Sequence, residues 1–261
     1  MRYLLLLWTF LRVGVLGELA YRANFFFQLL ESAIELGTAL AGLAIVFSYT
    51  GSLGGWLPDE VVALVGVYFL AGGAIRFLIQ PSLERLIQSV RDGTLDFTLA
   101  KPEDAQLLVS IQRVEIWKLA DIALGLAVIT VALVRMGSRI STGQVFQFVA
   151  ALLAGGVIVY NFWLILATLA FWFVRVENIL VIFQSMYEAG RWPVGLYPGW
   201  LRFALTFLVP VAFAVTVPAE ALAGRLGWQT LLGAWALAAV LSAAARLFWR
   251  AGTRRYSGAS S

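Results

Sequence analysis

The 261-residue chain contains neither cysteine nor histidine. Those two absences exclude disulfides, thiol nucleophiles, Cys/His metal sites and histidine general bases. Charge is scarce as well: Asp, Glu, Lys and Arg make up 13% of the residues against 61% hydrophobic ones. Mean hydropathy is +0.85, outside the range of ordinary soluble domains. No GxxxxGK[ST] segment occurs, so the chain lacks the usual loop for cradling ATP phosphates. No internal repeat is visible, which disfavours the inverted-repeat transporters. These features together describe an integral membrane protein. At roughly 20 apolar residues per span, the length leaves room for about six helices with short loops and no large soluble domain. The apolar runs are continuous rather than alternating, so the spans are helical and the fold all-α.

One stretch inside this oily chain is wet. Pro81–Gln106 carries Arg85, Arg91 and Lys101 against Glu84, Asp92, Asp96, Glu103 and Asp104. An ionised side chain at mid-bilayer depth costs roughly 2.5–3.5 kcal/mol on insertion scales, so this stretch is an aqueous loop between two spans. Within it Leu83, Leu86, Ile87 and Val90 recur at helical spacing, and Asp92-Gly93 supplies a stop. The pattern predicts a short amphipathic helix, a turn, and then Lys101-Pro102. Such a helix is either a solvated connector or a docking element.

In chain order, the charged continuation GELAYR argues against a signal peptide, and residues 1–22 read as an interfacial amphipathic helix anchored by Trp8 and Tyr21. Spans are expected over Asn24–Tyr49, Glu60–Ile79, Val109–Val134, Gln144–Val174, Leu201–Val217 and Trp228–Trp249. Arg175–Trp200 reads as an interfacial helix followed by an irregular turn. Residues 219–226 form a short segment before the last span, and the tail from Arg250 is basic and then polar. Gly72-Gly73, Gly155-Gly156 and the Gly37/Ala41 pair suit close helix contacts.

Lys and Arg accumulate in cytoplasmic loops. With the amino terminus inside, sixteen of the nineteen fall on the inner side and Arg135, Arg139 and Arg225 on the outer. Both termini and the wet loop are then cytoplasmic. The pI of about 9.6 reflects this sorting, and no nucleic-acid partner is expected.

Six segments in order, ELAYRANFF (Glu18–Phe26), GGW (Gly54–Trp56), VRDGTLDFTLAKPEDAQ (Val90–Gln106), RWPVGLYPGWLRF (Arg191–Phe203), VPAEALAGRL (Val217–Leu226) and RRYSGAS (Arg254–Ser260), resemble the ABC-2 type permeases. The likeness is to the branch labelled uncharacterised ABC transport system permease. It implies a single permease domain over 1–261, of the type-2 ABC exporter fold, in the plasma (bacterial inner) membrane. It also implies pairing with an identical or homologous second permease, and two copies of a separate ATPase subunit that bind the ATP and Mg. The chain itself would hold no cofactor and no catalytic residue. The resemblance places a cytoplasmic coupling helix within 82–93, in the coupling loop 82–106, with Leu83, Glu84, Arg85, Leu86, Ile87, Val90, Arg91, Asp92 and Gly93 meeting the ATPase. It also matches 219–226 to a short re-entrant segment. No large extracellular domain or fused ATPase is expected.

Gln28, Glu31, Glu35 and Thr38 share one face of the first span. They either mark the inner boundary of the bilayer or line a transport path. Other classes compatible with this composition are a stand-alone secondary transporter or channel, and a membrane assembly partner that transports nothing.

Overall fold

The computed structural model describes residues 22–137, 141–173 and 177–256. Residues 1–21 of the expected interfacial helix, and 257–261 of the tail, lie outside them. The described residues are helical apart from turns and one antiparallel bridge, Leu53–Trp56. The helices are α1 Arg22–Tyr49, α2 Pro58–Arg91, α3 Asp96–Leu99, α4 Ala105–Ile111 and α5 Leu119–Met136. After them come α6 Thr142–Thr168, α7 Glu177–Tyr187, α8 Gly199–Leu208, α9 Ala212–Leu222 and α10 Trp228–Thr253.

α2 is the axis of the bundle. Val61, Leu64, Val65, Tyr68 and Phe69 along it are buried. Its contact with α5 is close because glycines face each other. A Cβ on Gly125 would strike the backbone of Leu70 and Gly66, and one on Gly66 would sit 2.7 Å from the Ile129 side chain. Of the glycines expected at contacts, Gly72, Gly73 and Gly155 abut neighbours, whereas Gly37 and Gly156 face open space.

The helix expected to end at Ile79 does not end there. It runs 34 residues to Arg91, about 50 Å at 1.5 Å per residue, well beyond a hydrocarbon core of about 30 Å. Pro81 has no N–H to give to the Phe77 carbonyl. The chain answers with a π-turn over Ile75–Ile79, and the freed Phe77 carbonyl accepts the backbone N–H of Glu115 at 2.9 Å. Ser82 completes the clamp: its hydroxyl donates to the Arg113 carbonyl at 2.7 Å and accepts the Arg113 N–H at 3.2 Å. Residues 112–115 are therefore bound to α2, and the third span starts at the 3₁₀ turn of Ile116 rather than at Val109. α4 instead packs beside the wet end of α2, with Leu108 and Val109 buried. Asp104 caps α4 by accepting the N–H groups of Gln106 and Leu107.

The fifth crossing also differs from expectation. α8 and α9 meet at 79° across Val209–Val211, with Pro210 at the break. The Phe213 carbonyl abuts Gly155, the fourteenth of the 27 residues of α6, so the bend reaches mid-depth. Both arms return to the end of the bundle that holds the α1–α2 loop. Leu196, just before α8, packs on Gly54, and Gly224, just after α9, packs on Gln144 at the start of α6. The pair is thus a re-entrant hairpin over 199–222, longer than the 219–226 segment expected. The crossing is made by residues 177–197. They leave the wet end after Phe173, pack at Phe183 against Trp163, and rise past Gly190, which abuts Val211, to Leu196. Among the described residues the six traverses are α1, α2, α5, α6, 177–197 and α10.

Gly125→Ala should therefore separate α2 from α5, with a cost of about 1–3 kcal/mol for overpacking. Thermal unfolding in detergent should show a lower Tm for Gly125→Ala and no change for Gly156→Ala. Equal Tm values for Gly125→Ala and the parent chain would contradict the close approach.

Candidate functional site

Where α7 rises beside α2, the gap between them and α1 remains open as a cavity of about 660 Å³. α1 contributes Phe27, Leu30, Glu31, Ile34 and Glu35 to its wall. α2 contributes Tyr68, Gly72, Ile75, Arg76 and Gln80, and the third side is Phe183, Gln184, Tyr187, Glu188 and Arg191. The helical period selects these sets: Leu30/Ile34 and Glu31/Glu35 are spaced by four, as are Tyr68/Gly72/Arg76/Gln80.

Two ion pairs are built into the wall. Arg191 Nη2 bonds Glu35 Oε1 at 2.5 Å, with the two side chains 28% and 23% exposed. The same guanidinium lies 5.3 Å over the Tyr68 ring. Tyr68 stacks on Tyr187 at 5.0 Å between centroids, and the Tyr187 hydroxyl donates to the Tyr68 carbonyl at 3.0 Å. The segment 187–191 is thereby fixed to α1 and α2 at mid-depth. Toward the wet end Arg76 Nη2 lies 3.3 Å from Asp121 of α5. Asp121 is 2% exposed and also accepts the Ser32 hydroxyl from α1, while Lys118 approaches it at 4.0 Å. A buried carboxylate in hydrocarbon requires such partners. One group of side chains therefore ties α1, α2 and α5 together behind the cavity.

At the opposite end Arg225 bonds the buried Glu60 and lies over the Trp56 ring. Asp59 pairs with Arg135 at 3.0 Å. At the wet end Arg246 of α10 bonds both oxygens of Asp104 and the Gln106 side chain. That guanidinium holds the Asp104 carboxyl below its ordinary range, against an opposing effect of burial.

The residues singled out from the sequence divide. Glu31 and Glu35 line the cavity; Gln28 does not, although it donates to Glu31 at 3.2 Å. Thr38 is exposed and its hydroxyl returns to the Ile34 carbonyl. In the amphipathic stretch Leu83, Leu86 and Ile87 are buried in the main core of this chain, and Val90 is half-buried. The apolar face expected to meet a partner is thus covered by the chain itself. Arg85, Arg91 and Asp92 are exposed, Glu84 accepts from Gln80, and Gly93 turns the chain at φ +70°. The large apolar side chain left outside is Phe97 on α3, 77% exposed. Arg191 and Arg202, placed inside from the sequence, sit elsewhere: Arg191 at mid-depth, and Arg202 on the carbonyls of Gly195 and Tyr197 toward the opposite end. Arg76, Asp121 and Phe97 escaped the sequence reading as site residues. The only signal for Asp121 was a lone carboxylate beside an apolar run.

A family model described as ABC-2 family transporter protein matches residues 33–260. No curated protein and no solved structure matches the chain.

Removing one member of a half-buried ion pair leaves the other uncompensated, at a cost on the order of 3 kcal/mol. Arg191→Ala should lower unfolding stability by about that much, and Glu35→Gln combined with Arg191→Gln should recover part of it. A double-mutant cycle with no coupling between positions 35 and 191 would dissolve this pair as a structural tie.

Proposed function

Because the chain belongs to the ABC-2 family of transporter proteins, we propose that it is the permease subunit of an ATP-driven exporter in the plasma membrane. In this reading the cavity between α1, α2 and α7 is the chain's half of the substrate path. A second permease, identical or homologous, covers its open side. Two copies of a separate ATPase subunit bind ATP and Mg, and hydrolysis takes place there. The wet end faces the cytoplasm, as the sorting of Lys and Arg implies.

The observation that carries this reading is the continuity of α2. One helix reaches from the exposed Arg85 and Arg91 to the cavity wall at Arg76 and Tyr68, and the pairing lost at Pro81 is replaced by the Glu115 N–H on the Phe77 carbonyl. A push on the protruding end is delivered to the wall with little loss, because residues 112–115 clamp the turn at Pro81. The partner surface follows from what the fold leaves outside. Leu86 and Ile87 are inside, so docking falls to the polar side of α2, Arg85 and Gln88, and to Phe97 beyond the turn. An exposed aromatic side chain flanked by charges has the composition of an interface centre. The charged residues contribute mainly steering and orientation.

The test is co-expression with the cognate ATPase. Phe97→Asp should preserve the yield and Tm of the chain and reduce ATPase co-purification and permease-stimulated hydrolysis by about tenfold or more. Leu86→Asp should instead abolish the folded chain, since it puts a carboxylate into the core. Normal co-purification by Phe97→Asp would move the docking surface away from α3. A well-folded Leu86→Asp chain that fails to bind would restore the apolar face of α2 as the contact.

A further inference from the structure

The cavity is not neutral. Among the described residues lining it, Glu31, Glu35 and Glu188 stand against Arg76 and Arg191. Behind the wall Asp121 pairs with Arg76 at 3.3 Å and Lys118 approaches it at 4.0 Å, so with these two side chains included four carboxylates stand against three cations. Glu35 is bonded to Arg191, and Glu188, three residues earlier on the same segment, shares that guanidinium electrostatically. Glu31 forms no ion pair with a described cation. Its partner among the described residues is the neutral amide of Gln28. Around this carboxylate the wall is apolar and aromatic: Phe27, Leu30 and Ile34 are all exposed on the same helix.

A carboxylate at the edge of an apolar cavity favours a cation and repels an anion of equal size. The effect is stronger than in water because the effective dielectric is lower. An aromatic ring beside it adds cation–π attraction. Each arginine is already paired with a carboxylate, Arg191 with Glu35 and Arg76 with Asp121, although Arg76 Nε and Nη2 and Arg191 Nε form no hydrogen bond among the described residues.

We propose that the cavity binds an amphipathic monocation, a protonated amine or onium group on an apolar body, with Glu31 as its counter-charge. The proposal rests on the permease reading for its transport role, but the binding site belongs to this chain alone.

The test uses two ions of the same shape and opposite charge, tetraphenylphosphonium and tetraphenylborate. Equilibrium binding to the full chain in zwitterionic nanodiscs is measured after subtracting uptake by empty discs. The phosphonium should bind saturably, and about tenfold or more tighter than the borate. Glu31→Gln should weaken phosphonium binding about tenfold while leaving the borate unchanged or improved, and Glu31→Asp should retain most of the binding. Equal binding of the two ions, or a Glu31→Gln chain that binds the phosphonium as the parent does, overturns the proposal. Co-purification with the ATPase is scored on the same preparations. Its absence would overturn the permease reading while leaving a charge-selective site in place.

Discussion

A peptide group shielded from water must find a partner, and in α2 the Phe77 carbonyl has lost its helical one. Pro81 cannot serve it, and an unserved carbonyl at that point favours a kink or an end to the helix. Glu115 supplies the N–H, so the break becomes a π-turn and the helix continues. Two consequences follow from that one bond. The amphipathic stretch is held in line with the membrane core, and its apolar face is pressed onto α4 and α6 instead of being offered outward. The return segment 112–115 is also fixed, which sets where α5 begins and brings Asp121 to Arg76.

Charge performs a second kind of work. Arg76 with Asp121, Arg191 with Glu35, Arg225 with Glu60 and Arg246 with Asp104 each join elements distant in sequence. In a bilayer apolar contact between helices is no better than contact with lipid, so polar ties and close backbone approach specify which helices meet. The glycine contacts hold α2 to α5, and the ion pairs position the looser elements. Arg191 is the clearest case. It fixes a 3₁₀ segment against α1 and thereby props the cavity open between them.

Composition and periodicity made the membrane class, the wet loop and most spans legible, because hydrophobic runs and charge breaks are local signals. The amphipathic helix was legible too, since Leu83, Leu86, Ile87 and Val90 mark its face. What that face packs against was not, because an apolar stripe looks the same whether its cover is a partner or the chain's own core. Helix continuity through Pro81 was hidden for a related reason: the rescuing N–H lies 38 residues beyond Phe77. The crossing by 177–197 was hidden because its charges and Gly/Pro content resemble an interface, and the Glu35 carboxylate and Tyr68 ring that make Arg191 acceptable at depth lie far away in sequence. The hairpin at Pro210 read as a span since its two arms together are long enough and apolar enough to be one.

The cavity exists only if 177–197 crosses the membrane beside α2 and 199–222 dips back from the opposite face. A chain without cysteine gives a clean background for labelling. Gly195→Cys, at an exposed position with open space around it, should react in intact cells with an impermeant maleimide on the same side as Gln229→Cys, and opposite to Thr94→Cys. If Gly195→Cys reacts only from the side of Thr94→Cys, then residues 175–200 lie at the wet face, 201–217 is the fifth span, and the cavity described here does not form.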